Sequence, residues 1–284
     1  MQILTTIHEI LAAYSPMRGR RIGLVPTMGA LHEGHLQLMR AAKADCHFVV
    51  ASIFINPTQF GPGEDLAKYP RTFDRDCVLL EKEGVDTLFA PSVEEMYPLG
   101  AVTSVTVEDL SARLDGRSRP GHFRGVATVV SKLFNIVQPN VAFFGQKDAA
   151  QVAIIRRMVR DLNFPVEIVA CPIAREPDGL AMSSRNAYLD PAQRQQALVL
   201  HRALSAISHL HAQGVRAAQQ LAACGKQAFA LEPAVRLEFL DIVHPVTLEP
   251  LRDVANGALV AVAAFVGSTR LIDNISLPPS ATKN

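Results

Sequence analysis

A chain of 284 residues, 49% of them apolar, can bury a substantial core and is long enough for one large or two modest domains. The 28 basic and 27 acidic residues leave a formal net charge of +1, so no global field draws the chain to nucleic acid or to an acidic membrane, and partners are expected at local sites. Cys46, Cys77, Cys171 and Cys224 are widely spaced and form no C-x-x-C pair, which argues for free thiols in a reducing compartment and against a disulfide framework.

The first fourteen residues, MQILTTIHEILAAY, lack the basic start and long apolar run of a secretion signal and read as a short amphipathic helix ahead of the first strand. Apolar strand candidates follow at 22–25, 48–55, 87–90, 141–144 and 166–171, separated by helical patterns. The clearest helix is expected over about 148–162, with Val152, Ile155, Val159 and Leu162 on one apolar stripe between two strands. This alternation predicts an α/β fold with a parallel sheet, which binds ligands past the carboxyl ends of its strands. After a polar turn at 176–179 the texture changes. Helices are expected over about 191–213 and 216–230, then β-rich segments at 235–243 and 258–266, which suggests a smaller α+β domain. The tail from Leu277 is expected to fray. The apolar run 257–266 is too short to span a bilayer, so the expectation is a cytoplasmic protein with no membrane or nucleic-acid partner.

The most informative segment is 27–35, TMGALHEGH, which places His32 and His35 three residues apart at a strand-to-helix junction. Residues at i and i+3 share a helix face, so both imidazoles can address one ligand. Gly29 and the helix amides suit a phosphate. A helical zinc-protease motif needs histidines at i and i+4, so metal ligation is not the reading. Taken alone, the pair also fits two histidines with no chemical task; the glycines and the strand-to-helix context weigh against that.

Four further constellations follow strands or turns. Asn56, Pro57, Thr58, Gln59 and Phe60 present an amide pair suited to hydroxyls and carboxylates, or simply start a turn. Gly145, Gln146, Lys147 and Asp148, with Gln151 one turn beyond, offer close backbone approach, helix amides and a point charge for phosphate; a solvated Lys-Asp pair opening a helix is the plain alternative. Met182, Ser183, Ser184, Arg185 and Asn186 form a dense donor cluster or a helix cap. The stretch 117–124, RSRPGHFR, reads as a basic loop, either a phosphate-contacting lid or an ordinary surface loop.

Taken together, seven strings in order resemble the pantothenate synthetase family, the AMP-forming pantoate–β-alanine ligases. They are VPTMGALHEGH at 25–35, FINPTQFG at 54–61, YPRTFDRD at 69–76, GHFRGV at 121–126, FFGQKDAAQ at 143–151, AMSSRNAYL at 181–189 and GSTRLIDNI at 267–275. The resemblance implies a Rossmann-like parallel sheet of the nucleotidylyltransferase type over residues 1–175, a smaller α+β C-terminal lid domain over 176–284, and a homodimer. It implies that (R)-pantoate attacks the α-phosphate of Mg-ATP to give pantoyl adenylate and pyrophosphate, and that the amine of β-alanine then displaces AMP.

By motif position, the resemblance makes His35 the proton donor, with His32 its partner at the phosphates and Lys147 the third catalytic group. Met28, Gly29, Ala30, Leu31, Glu33 and Gly34 line the ATP site with them. Gly145, Gln146 and Asp148 hold ribose and phosphate, Met182, Ser183, Ser184 and Arg185 close over the triphosphate, and Ala174 meets adenine by its backbone. Gln59, Gln151 and Asn56 bind pantoate, Gln59 also meets β-alanine, and Arg119 and His122 belong to a flap. Gln146 stands where some members carry glutamate. Magnesium is expected to ride on ATP, with no protein ligand assigned. The rival enzyme reading is a nucleotidylyltransferase that stops at nucleotidyl transfer; the rival outside catalysis is an idle nucleotide sensor, which has no use for His35, Lys147 and Arg185 together.

Overall fold

The computed structural model describes residues 1–14 and 19–280. The chain divides into two compact units: Met1–Ala112, Gly116–Gln146 and Ile154–Pro172 form the first, and Arg113–Asp115, Lys147–Ala153 and Ile173–Asn284 the second.

The first unit is built on strands β1 (Gln2–Leu4), β2 (Ile22–Thr27), β3 (Phe48–Ile53), β4 (Thr87–Phe89), β5 (Val141–Gly145) and β6 (Glu167–Cys171). They make one six-stranded sheet in the order β1-β4-β3-β2-β5-β6, parallel throughout. Helices α1 (Ile7–Tyr14), α2 (Glu33–Asp45), α3 (Phe73–Lys82), α4 (Val93–Met96), α5 (Asp115–Ser118), α6 (His122–Val137) and α7 (Ala149–Asp161) alternate with the strands. Val25, Val49, Ala51, Leu88 and Val141 of the strands form one core with Leu38, Met39 and Ala42 of α2 and Leu80 of α3. Gly23 gives β2 a close fit to α2 and β5, since a Cβ there would sit 2.8 Å from Cys46 Sγ and 3.3 Å from the Phe143 ring. The chain leaves β2 for β3 on one side and β5 for β6 on the other, so strand order reverses between β2 and β5. Ligands of open α/β sheets bind past the strand ends at such a point.

The second unit packs α8 (Pro191–Gln196), α9 (Leu198–Ala212) and α10 (Ala218–Ala230) on an antiparallel sheet β7-β8-β9 (Val235–Val243, Ala258–Val266, Thr269–Leu277). Its core joins Leu200, Leu204 and Ile207 of α9 to Leu240, Val260, Val262 and Leu271 of the sheet.

The sequence-based expectations need five corrections. The N-terminus opens with a strand, β1, before its helix; three edge residues are too few to show a period. The stripe on α7 is Val152, Ile155, Ile154 and Met158, while Leu162 lies beyond the helix end and is exposed. The long helix expected over 191–213 is divided at Ala197. The stretch 117–124 is not one loop, since α5 ends at Ser118 and His122 opens α6. The tail from Leu277 is held, with Leu277 buried in β9, Ser280 N–H bonded to the Ala255 carbonyl and Ser280 Oγ to Arg216 Nε. The rest of that tail, 281–284, lies outside the described residues. Among them, no helix is long and apolar enough to cross a membrane.

Candidate active site

β2 ends at Thr27, whose hydroxyl donates to the Ser52 carbonyl at 2.7 Å and accepts the Gly29 N–H at 3.1 Å. The chain then turns through two left-handed residues, Gly29 (φ 79°) and Ala30 (φ 51°). For alanine this conformation costs about 1–2 kcal/mol, and a buried carboxylate holds it. Asp76 of α3, 1% exposed, accepts the N–H of Ala30 at 2.8 Å and of Leu31 at 2.9 Å, and the Thr72 hydroxyl at 3.1 Å. Asp76 is not among the site residues expected from sequence. Its signal was an acidic residue on the inward row of a helix, one turn before the buried Leu80.

His32 is the N-cap of α2 and His35 its third residue, and the two cap reciprocally. His32 Nδ1 accepts the Gly34 N–H at 3.1 Å, and His35 Nδ1 accepts the His32 N–H at 3.3 Å. The ring centroids are 4.1 Å apart. A nitrogen that accepts a backbone N–H carries no proton, so in the neutral rings both protons lie on Nε2. The turn therefore places two imidazole N–H groups at a helix N-terminus, where the dipole favours an anion. Glu33 is engaged by Arg40.

Past β3, Asn56 is 1% exposed and fully employed. Its Nδ2 donates to Gln59 Oε1 at 3.0 Å and to the Gly125 carbonyl at 3.1 Å; its Oδ1 accepts the Thr58 N–H at 3.3 Å, the Thr58 hydroxyl at 2.9 Å and the Tyr97 hydroxyl at 2.9 Å. Burial raises the Tyr97 pKa above its ordinary value, which keeps that hydroxyl a donor. Asn56 thus holds Gln59 rather than presenting its own amide. Gln59 Nε2 contacts Met28 Sδ at 3.2 Å, using one of its two hydrogens and linking the turns after β2 and β3.

Arg119 and His122, the residues expected to belong to a flap, reach the same turn. His122 Nδ1 donates to the Gln59 carbonyl at 2.8 Å, and Arg119 Nη1 lies 3.1 Å from His122 Nε2. Arg119 also grips Glu64 with both prongs, at 2.8 and 2.6 Å. Burial pushes the Glu64 carboxyl up, but the Arg119 guanidinium, together with the Gly61 backbone and His122, leaves the pKa below the ordinary value. The basic cluster is therefore partly spent inside the protein, which sequence alone does not reveal.

β5 ends at Gly145, and Gln146, Lys147 and Asp148 form a single 3₁₀ turn before α7. Lys147 and Asp148, which lie in the second unit, are both half-buried. Ala174 is buried, and its carbonyl accepts the Met182 N–H at 2.9 Å across a hairpin bridged at Arg175 and Ala181. Ser183 caps the 3₁₀ turn Ser184–Tyr188, its hydroxyl accepting the Arg185 N–H at 3.3 Å, so the capping alternative for this serine is realised. Gln151 lies in the first turn of α7 and is half-buried.

The first unit is thus an α/β sheet whose switch point carries a glycine turn and an H-x-G-H helix cap, the class of architecture that seats anionic ligands past its strand ends. The family model described as pantoate-beta-alanine ligase matches residues 2–276. A pantothenate synthetase of Acidobacterium capsulatum is 60% identical, covering 100% of both chains, and that of Koribacter versatilis is 60% identical over 98% of this chain and 96% of its own. The crystal structure of pantothenate synthetase from Thermus thermophilus superposes with a TM-score of 0.94 at 51% identity, covering 98% of this chain and 100% of that one. A pantoate-beta-alanine ligase from Francisella tularensis, complexed with beta-gamma ATP and beta-alanine, gives a TM-score of 0.81 at 33% identity over 97% of each chain. The chain belongs to the pantoate–β-alanine ligase family and is a ligase.

Proposed function

We propose that this chain condenses (R)-pantoate with β-alanine at the expense of ATP, through an enzyme-held pantoyl adenylate. A carboxylate oxygen of pantoate attacks the α-phosphorus, the bond to the bridging oxygen breaks, and pyrophosphate leaves with the electron pair. The uncharged amine of β-alanine then attacks the acyl carbon, the bond to the phosphate oxygen breaks, AMP leaves, and the amine proton passes to solvent. A carboxylate is a poor acyl electrophile, so adenylation supplies the leaving group; the protein positions reactants and stabilises charge spreading over phosphate oxygens.

The observation that carries the reading is the reciprocal cap of His32 and His35, which fixes two Nε2 donors at a helix N-terminus beside the switch point. We assign both to the phosphates, with His35 as proton donor, and Lys147 and Arg185 to the same charge. Gln59, held by Asn56, binds pantoate and meets β-alanine; Gln151 completes the pantoate site. The ligands of the Francisella tularensis protein support ATP and β-alanine as substrates. Magnesium is assigned to ATP itself. Among the described residues no cluster of three His, Cys, Asp or Glu side chains is placed to hold a metal ion, and a cation carried on a triphosphate with its waters needs none. Bound there, it neutralises phosphate charge. A cytoplasmic homodimer, with a catalytic domain over 1–175 and a lid over 176–284, completes the proposal.

The deciding experiment is pantoate-dependent exchange of pyrophosphate into ATP, followed by addition of β-alanine. The ligase exchanges without the amine and releases AMP only when it is added. A nucleotidylyltransferase that stops at nucleotidyl transfer, which the family membership disfavours, keeps its nucleotide-linked product and releases no AMP.

A further inference from the structure

Strand β9 carries Asp273 and Asn274 in succession, and both are buried, at 3% and 2% exposure. Burying a carboxylate and an amide side by side is costly unless partners meet them. Those partners lie on two segments distant in sequence. Asn274 Nδ2 donates to the Lys147 carbonyl at 2.9 Å. Asp273 receives the Arg175 guanidinium through both oxygens, at 2.7 and 2.9 Å, and its Oδ1 accepts the Asn274 N–H at 2.7 Å. Arg175 goes on to the Gly179 carbonyl at 2.9 Å and the Asn274 carbonyl at 3.4 Å. It thereby ties the hairpin that carries Ala174 and Met182 and leads to Ser183, Ser184 and Arg185.

We propose that Asp273 and Asn274 are positioning residues for the nucleotide: Asn274 fixes the turn that carries Lys147, and Asp273, through Arg175, fixes the hairpin that leads to Arg185. Neither is a catalytic residue. The proposal rests on the reading of Lys147 and Arg185 as phosphate ligands. A single 3₁₀ turn is a weak support for a long cationic side chain, and misplacing a charged group by about 1 Å costs a rate factor on the order of a hundred. β9 is a firm anchor, because it pairs with β8 along its whole length from Thr269 to Leu277. The two arms thus share one rigid origin inside the second unit.

Two double-mutant cycles test this in pantoate-dependent pyrophosphate exchange. Lys147→Ala alone is expected to lower exchange on the order of a hundredfold, and Asn274→Ala alone about tenfold. If Asn274 acts through Lys147, the double variant is no slower than Lys147→Ala, within about twofold. A multiplied loss of about a thousandfold, as independent effects give, overturns the proposal. Asn274→Asp keeps the side-chain shape but sets an acceptor against the Lys147 carbonyl; it is expected to lose as much as Asn274→Ala, and a wild-type rate overturns the proposal. Asp273→Asn combined with Arg185→Ala is read in the same way for the other arm. Each variant is melted first and assayed where it is folded. An active wild type with multiplied losses overturns the proposal alone, whereas a wild type without exchange overturns the reading of the reaction and the proposal with it.

Discussion

The backbone N–H of His32 donates to Nδ1 of His35 at 3.3 Å, so the second histidine caps the helix that the first begins. Each ring caps through Nδ1, and the proposed function gives its Nε2 to phosphate; the two roles are separable by substitution. Asparagine is a good N-cap, so His32→Asn is expected to keep the melting temperature near wild type while losing the phosphate donor. His35→Ala removes both ends, costing about 0.5–2 kcal/mol of stability and about 3–4 kcal/mol of transition-state stabilisation, a factor on the order of a hundred to a thousand in exchange rate. A near-normal exchange rate in either variant counts decisively against the role given to that ring.

Substrate selectivity distinguishes the two ends of the site. Gln59→Ala and Gln151→Ala are expected to leave pantoate oxygens unpaired, at about 1–3 kcal/mol each, and so to raise the KM for pantoate far more than that for ATP. Lys147→Ala should show the opposite bias. Asn56→Ala should follow Gln59→Ala, because Asn56 Nδ2 holds the side-chain Oε1 of Gln59. Steady-state kinetics with each substrate varied decide the matter; equal effects on both substrates in all variants would mean the subsites are misdrawn.

The alternation of strands and helices was legible because most strands are long enough to show an apolar run. The turn at 27–35 was legible because glycine and histidine at a strand end have few other uses. The supports of the site were not. Asp76 reaches the loop from 46 residues away in sequence and Asn274 reaches Lys147 from 127 away, and local pattern carries no information on such pairings. β9 was overlooked because Asp273 and Asn274 are adjacent and both buried, which breaks the alternation by which strands are recognised. Helix α6 escapes notice for a different reason: its first residues lie in the stretch read as a basic loop, and its polar stripe of Arg124, Lys132 and Asn135 is narrow on an otherwise buried helix.

Asp76 gives a stability prediction. Its carboxylate satisfies the N–H groups of Ala30 and Leu31 beneath a left-handed turn. Asp76→Ala leaves both buried donors unpaired, at about 1–3 kcal/mol each. The variant should melt lower and lose exchange activity together, since the same turn aims His32. Thermal denaturation alongside the exchange assay checks this; an intact melting temperature would show that the turn does not need its carboxylate.

The Glu64–Arg119 pair predicts an acid limb. With the folded pKa of Glu64 held below the ordinary value of 4.5, the folded state binds fewer protons than the unfolded chain in acid. The pair's stabilisation is therefore fully present above that ordinary value and is lost as pH falls through the lower folded one. Glu64→Gln should be less stable than wild type at neutral pH, and the gap should close as the pH drops below the ordinary value. Denaturant unfolding across that range measures it, and a gap independent of pH would remove Glu64 from the titrating groups.

Gly125 sits inside helix α6, where replacing glycine by alanine ordinarily stabilises by about 1 kcal/mol. Here the sign should reverse. A Cβ at this position would lie 2.4 Å from the Thr58 carbonyl oxygen and 2.6 Å from the Gln59 nitrogen, both backbone atoms that cannot rotate away. The 57–59 turn must shift, and it carries Gln59 with it, while the Gly125 carbonyl that receives Asn56 Nδ2 moves as well. Gly125→Ala is therefore expected to lower stability by about 1–3 kcal/mol, the usual cost of overpacking, and to raise the KM for pantoate with a smaller effect on that for ATP. A variant more stable than wild type with an unchanged pantoate KM would show that the turn does not rest on the helix at this point.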